Sequence, residues 1–299
     1  MDLYGRDLIC TQDWAISELM EALELAAKMK RQRFSPRWAT ILEHKTFIMF
    51  FYNPSVRTRI SFEAAATELG GHAQFMTPSA GRFKTEQKAG ETIEDAANVM
   101  ARYAAGLGIR ILEDKIPYYG AGDKVLKDYA RCADVPILNM ADDRFHPCQG
   151  LADVMGWAEW MGQGRARPSY GALRGKRFLL SWGSGALARA WGSVQTALLV
   201  ASRFGMDVTL AHPEGYDLDP EVIEWTKHNC AENDADFNVV HDPESGYEGA
   251  HVVYCRNWVS PEAYQDGELQ KQAEIEKAMA HQGWTTTSER MARTDNAIY

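Results

Sequence analysis

The segment Phe50 to Gly71 (FFYNPSVRTRISFEAAATELGG) concentrates residues able to do chemistry. The hydroxyl of Ser55 and the guanidinium groups of Arg57 and Arg59 fall where the apolar run Lys45 to Tyr52 gives way to the turn residues Asn53-Pro54-Ser55. Phe62, Ala65, Ala66 and Leu69 then recur at helical spacing, so a helix starts at Ser55, and Gly70-Gly71 stops it. Unsatisfied N–H groups and the positive end of the helix dipole make a helix start an anion site. Ser55 suits the N-cap. A positive charge in the first turn disfavours the helix by roughly 0.3–1 kcal/mol, which a bound phosphate would offset. Arginine also grips phosphate through two parallel bonds. The alternative is a surface turn whose arginines pair with Glu63 or Glu68. The G-x-x-x-x-G-K-[ST] pattern is absent, so the segment is not a P-loop.

Other candidates stand further along. His146-Pro147-Cys148-Gln149 offers an imidazole and an amide, although His146 taken alone reads better as a buried, hydrogen-bonded histidine. Gly183-Ser184-Gly185 follows a strand but lacks the full G-x-G-x-x-G. The next strand ends at His212 where an acidic residue would be needed for a dinucleotide. A loop that needs glycine dihedrals is the simpler reading. Arg256, Asn257 and Trp258 follow a short strand, and Lys84 and Lys88 lie in the charged stretch RFKTEQKAGET, which also fits a solvated loop. The five cysteines, Cys10, Cys132, Cys148, Cys230 and Cys255, are scattered and contain no C-x-x-C. They suggest reduced thiols and neither a disulfide framework nor a structural zinc site.

These residues need rigid elements to hold them. Strands are expected at 45–52, 72–76, 107–112, 136–140, 177–182, 206–211 and 251–255. Helices are expected at 12–33, 55–69, 90–105, from His146 to about Met161, up to Phe204-Gly205, and at 220–233. The alternation argues for an α/β chain with parallel sheets flanked by helices. The Gly- and Pro-containing stretch 162–176 is the best internal boundary, and the helix before it bridges two domains, 1–147 and 148–299. The charged tail Gln265 to Gln282 has helical spacing and reads as a solvated face. At 299 residues, 45% hydrophobic and 24% charged, the chain is of ordinary globular composition. Its net charge of −9 disfavours a nucleic-acid partner. No apolar run suits a membrane span and the first residues lack a signal-peptide layout, so a cytoplasmic location is expected.

Asn53-Pro54-Ser55-Val56-Arg57-Thr58-Arg59 with Ser61-Phe62-Glu63 resembles the carbamoyl-phosphate signature S-T-R-T-R…S-F-E of aspartate and ornithine carbamoyltransferases. His146-Pro147-Cys148-Gln149 followed by Leu151-Ala152-Asp153 is similar to the family's H-P-x-Q-x-L-x-D, and Arg110 falls where the family keeps a third arginine. The resemblance covers essentially the whole chain. Val56 replaces the usual threonine, at a position that in the family gives its backbone N–H. The stretch Arg203 to Tyr216 (RFGMDVTLAHPEGY) resembles the knotted branch, which holds N-acetylornithine, N-succinylornithine and YgeW-like enzymes. In that branch a loop near Ser181 to Gln195 is threaded by a later segment.

The resemblance implies a carbamoyltransferase fold, no cofactor and no metal. It implies transfer of the carbamoyl group of carbamoyl phosphate to an amino-acid-like amine. Ser55, Val56, Arg57 and Thr58 would hold the phosphate. Arg110, Thr58 and His146 would face the carbamoyl oxygen, and Gln149 would read the carbamoyl NH2. Arg256 and Trp258 stand where relatives contact the acceptor. Lys88 is one place earlier than a lysine that reaches a neighbouring subunit's site, and a homotrimer is implied. The D-x-x-x-S-M-G of ornithine enzymes is not found, which disfavours plain ornithine. Asn296 to Tyr299 reads as the start of a strand that family members follow with H-C-L-P. The chain is therefore expected to lack a C-terminal segment, and a carbamoyl-phosphate-binding protein without turnover is the competing reading.

Overall fold

The structure is a computed structural model that describes residues 3–81, 90–162 and 168–299. It divides into two compact units, Met1–Ile116 with Gly120–Cys148, and Pro117–Tyr119 with Gln149–Tyr299.

The first unit runs α1 (Ile16–Arg31), β1 (Thr46–Phe51), α2 (Val56–Glu68), β2 (His72–Met76), α3 (Ile93–Tyr103), β3 (Gly106–Arg110), α4 (Ala121–Cys132) and β4 (Ile137–Ala141). Its strands form one parallel sheet in the order β2-β1-β3-β4. The β1 run TFIMFF is continuously apolar because both faces of a parallel sheet are covered. On one face Phe47 stacks on Phe62 of α2 at 5.8 Å, and Phe51 meets Phe75 at 5.3 Å. On the other, Phe50 packs 6.2 Å from Tyr129 of α4. The helix expected at 90–105 is shorter. Thr92 caps α3, its hydroxyl accepting from Asp95 N while the Asp95 carboxylate accepts from Thr92 N. Helix α4 was not anticipated. It opens on Gly120 in the left-handed conformation and buries Leu126 and Tyr129 under the sheet.

Helix α2 ends as the glycine pair predicts. Gly70 N–H donates to Thr67 O and Gly71 N–H to Ala66 O, a Schellman closure with Gly70 at φ +83°. A Cβ at Gly70 would also lie 1.9 Å from Ala39 O, so glycine is required there on two counts.

Helix α5 (Pro147–Met161) leads into the second unit. There follow β5 (Arg177–Trp182), α6 (Gly192–Arg203), β6 (Asp207–Ala211), α7 (Pro220–Glu232), β7 (Phe237–Val240), β8 (Val252–Arg256) and α8 (Lys271–Met279). The parallel sheet has the order β7-β6-β5-β8, and Ile298 adds a bridge beside Val252 on the far side of β8. Trp157 of α5 packs on Phe178 of β5 at 5.1 Å, and α6 is buried from Gly192 to Ser202. The tail helix is not wholly solvated. Glu274 of α8 is buried and accepts from Ser260 N and Oγ at 2.6 and 2.8 Å.

The two sheets differ in strand order but share one feature. The chain leaves the first strand of each in one direction and later returns to its other side. In parallel α/β sheets such a switch point opens a crevice at the carboxyl ends of the two strands. The crevice falls between β1 and β3 in the first unit and between β5 and β8 in the second.

Candidate active site

In the first unit the switch point gathers the anion-binding candidates. β1 runs through Asn53-Pro54 into Ser55, which caps α2, its hydroxyl oxygen accepting from Thr58 N at 3.3 Å. Ser55 Oγ also lies 3.1 Å from Thr58 Oγ1, and Arg110 Nη1, from the end of β3, donates to that Thr58 oxygen at 3.5 Å. Ser55, Thr58 and Arg110 are therefore brought together from two strand ends. The first turn of α2 has no acidic residue to balance its dipole.

The two arginines of that turn divide their work. Arg59 donates to Glu63 at 2.9 Å and lies over the Phe75 ring at 4.0 Å, so one half of the surface-pair alternative is realised. Glu68, the other partner considered, pairs with Arg33 instead. Arg57 is exposed and forms no hydrogen bond or ion pair among the described residues. Val56 is also exposed, at 74%, and faces no packing demand that would require threonine.

Two buried polar residues that sequence reasoning did not single out organise the turns after β1 and β4. Asn53 is buried. Its amide bonds Asp114, and its carbonyl oxygen accepts from Leu112 N at 2.7 Å, tying the turn after β1 to the chain after β3. Asp142 is fully buried in the turn before His146, accepting from Arg144 N at 2.7 Å, from Phe145 N, and from Asn139 Nδ2 at 2.8 Å. Burial, with Asp143 and Asp123 nearby, raises its carboxyl well above the ordinary range. The available signals were turn chemistry, an Asn-Pro and an Asp-Asp-Arg. His146 itself is half-buried at the start of α5. The neighbouring thiol of Cys148 is pushed by burial to about 11, which keeps it protonated and unreactive.

In the second unit Gln149 Nε2 donates to Asp153 Oδ1 at 2.8 Å, one turn along α5. Burial raises the Asp153 carboxyl to about 7, against the lowering effects of Gln149 and Arg256. Arg256 is exposed at the carboxyl end of β8, at the switch point. Trp258 is 1% exposed; its indole N–H donates to Tyr216 O and its carbonyl accepts from Trp182 Nε1, both at 2.9 Å. The side chain is thus placed in the core of the unit, with no free face for an acceptor. Lys84 and Lys88 lie outside the described residues. Gly183 is not needed for a left-handed dihedral, contrary to the sequence reading. A Cβ there would meet Cys255 Sγ at 2.8 Å, so the requirement is close packing of β5 on β8. Chain occupies this crevice: Asn257 bonds Leu187 O, Val259 N–H donates to Arg189 O at 3.0 Å, and Ser184 N–H to Trp284 O at 2.7 Å.

Among the described residues no cluster of three or more His, Cys, Asp or Glu is placed to hold a metal, and no helix is long and apolar enough to cross a membrane. A cavity of about 210 Å³ borders Asp153, Trp157, Tyr254 and Tyr299, and one of about 190 Å³ borders Arg33, Trp38 and Glu68. Neither includes the residues at the start of α2.

Comparison with known proteins shows the family. A family model described as aspartate/ornithine carbamoyltransferase, carbamoyl-P binding domain, matches residues 6–159, and its Asp/Orn binding domain counterpart matches 187–299. An N-acetylornithine carbamoyltransferase of Xanthomonas campestris pv. campestris is 33% identical, over 97% of this chain and 84% of that protein. An ornithine carbamoyltransferase of Pyrococcus abyssi is 35% identical, over 87% of this chain and 73% of that one. A crystal structure of an N-acetyl-L-ornithine transcarbamylase mutant complexed with carbamyl phosphate and N-succinyl-L-norvaline superposes with a TM-score of 0.86. It is 32% identical, over 98% of this chain and 86% of that one. The fold and these matches define a carbamoyltransferase, an α/β enzyme with parallel sheets flanked by helices. The chain belongs to the aspartate/ornithine carbamoyltransferase family. The matches do not support the expectation, drawn from Asn296 to Tyr299, that the chain lacks a C-terminal segment.

Proposed function

We propose that the enzyme moves the carbamoyl group of carbamoyl phosphate to the primary amine of an amino-acid-like acceptor, with residues 1–147 binding the donor and 148–299 the acceptor. The observation that carries this reading is the convergence of Ser55, Thr58 and Arg110 at the start of α2, with Arg57 unpaired beside them among the described residues. The N–H groups of Val56 and Arg57, the Ser55 and Thr58 hydroxyls and the Arg57 guanidinium hold the phosphate. Arg110, Thr58 and His146 stand at the carbamoyl oxygen, and Gln149 reads the NH2. The neutral amine attacks the carbamoyl carbon, the new C–N bond forms, and negative charge grows on the oxygen facing those donors. The C–O bond to phosphate then breaks, the phosphate leaving with the electron pair and taking up the proton that the amine nitrogen gives up. Arg256 receives an acceptor carboxylate, and Trp258 anchors the strand end that carries it.

The finer features follow the same reading. A trimer is supported by the exposed apolar residues of α2, Val56 at 74% and Ile60 at 60%. A knotted second domain is supported by the bonds from Asn257 and Val259 to Leu187 and Arg189. Five unpaired cysteines suit the cytoplasm. Labelled carbamoyl phosphate offered with ornithine, N-acetylornithine, N-succinylornithine and a wider amine panel tests the reading. Label in a stable ureido product supports it, and phosphate-site binding without transfer to any amine refutes it.

A further inference from the structure

We infer that Asp153 is a positioning residue that holds the Gln149 amide with its carbonyl oxygen free, so that the site selects an acyl phosphate bearing N–H over one of the same shape without it. The inference rests on the proposed carbamoyl transfer and on Gln149 as the group that meets the carbamoyl NH2.

A glutamine amide has two ends of nearly equal shape and opposite hydrogen-bond character. To meet an NH2 group the acceptor end, Oε1, must be free. In this structure the donor end is engaged, with Gln149 Nε2 giving its hydrogen to Asp153 Oδ1 at 2.8 Å. An ionised carboxylate only accepts, so this contact fixes the amide in one sense. The other carboxylate oxygen, Oδ2, is shut off from solvent and has no hydrogen-bond partner among the described residues. No contact there competes for the geometry of Oδ1. The charged and titratable groups facing the carboxylate are Arg256 and Tyr254, both on β8. Arg256 favours the ionised form. A protonated Asp153 could instead donate to Gln149 Oε1, turning the amide and presenting two N–H donors to the substrate's NH2. Burial places that change near neutral pH, at about 7.

The test compares binding of carbamoyl phosphate, acetyl phosphate and inorganic phosphate to the full chain by calorimetry. Acetyl phosphate replaces NH2 with a methyl group and keeps the phosphate. The unmodified protein prefers carbamoyl phosphate, and more strongly at pH 8 than at pH 6. In Asp153→Leu the preference falls about tenfold, the worth of one net hydrogen bond, while inorganic phosphate binds within about twofold of the unmodified protein. Asp153→Asn, which conserves shape, supplies the second readout: its preference no longer changes between pH 6 and pH 8. A preference that survives Asp153→Leu, or a pH profile that survives Asp153→Asn, overturns the inference and leaves carbamoyl transfer standing. Failure of the unmodified protein to bind carbamoyl phosphate overturns the transfer reading and the inference with it.

Discussion

Replacing Asn53 with alanine probes how the phosphate crevice is held. Asn53 is 5% exposed and its one amide joins both walls, accepting from Leu112 N at 2.7 Å and donating to Asp114. The two losses are unequal. The Asp114 side chain is 58% exposed, so water replaces the bond it gives up. The Leu112 N–H is left without its partner, at a cost of about 1–3 kcal/mol. The melting temperature of the first unit should fall by about 2–4 °C for each kcal/mol. Ser55 and Thr58 follow Asn53 directly, and Arg110 meets Thr58 at a marginal 3.5 Å, so slack in the turn opens the anion site. Phosphate affinity should weaken about tenfold, since small misplacements of converging groups are costly. Asn53→Asp separates the two effects. It keeps an acceptor for Leu112 N but sets a carboxylate against Asp114, so it should bind phosphate poorly at pH 7. Calorimetry and thermal melting read both quantities. Unchanged melting and unchanged phosphate affinity in Asn53→Ala, or ordinary behaviour of Asn53→Asp at pH 7, would refute the idea that Asn53 couples the two strand ends.

Four further outcomes are expected. Arg57→Ala should weaken carbamoyl-phosphate binding by about 2–4 kcal/mol with melting unchanged, because Arg57 forms no bond among the described residues; equal affinity by calorimetry would contradict it. His146→Ala and Arg110→Ala should lower turnover far more than donor affinity, by about 2.7–4 kcal/mol of barrier, since their donors meet charge that grows during reaction; steady-state kinetics decide. Gly70→Ala should destabilise the first unit by at least about 1–2 kcal/mol, because the left-handed φ is unfavourable to alanine and its Cβ meets Ala39 O; denaturant unfolding measures this. Asp153 is held near 7 when folded and close to 3.8 when unfolded, so the native state binds the extra proton between those values. Stability of the second unit should therefore fall as pH rises from about 4 to 7, by up to roughly 4 kcal/mol, and urea midpoints for Asp153→Asn should lose that slope.

Short-range rules were sufficient wherever one segment carried its own instruction. The apolar run of β1, the serine cap and the Gly70-Gly71 stop of α2 were readable because each depends on neighbours within a few residues. Ser55 and Arg57 were readable as candidates for an anion site for the same reason, and Thr58 entered through the family resemblance. Helix α4 was not read, although Val125, Leu126 and Tyr129 stand at helical spacing, because its start carries no side-chain cap and rests on a left-handed Gly120. β7 was missed as a four-residue edge strand whose pairing with β6 lies outside its own sequence.

The sequence by itself determined the alternation of strands and helices, the helix start after β1 that the proposed phosphate site uses, and the resemblance that named the family. Only the tertiary structure decided which polar groups act together. Arg59 lies over the Phe75 ring of β2, a contact its own helix does not specify, whereas its bond to Glu63 is a short-range i,i+4 pair that Arg57, with Ser61 four residues on, cannot make. Trp258, a plausible acceptor contact from its place beside Arg256, proved to be core, because its indole N–H finds Tyr216 O from a loop 42 residues away. Asn53 and Asp142 gained their importance from burial, which makes each unmet hydrogen bond costly, and burial is set by residues that arrive from distant parts of the chain.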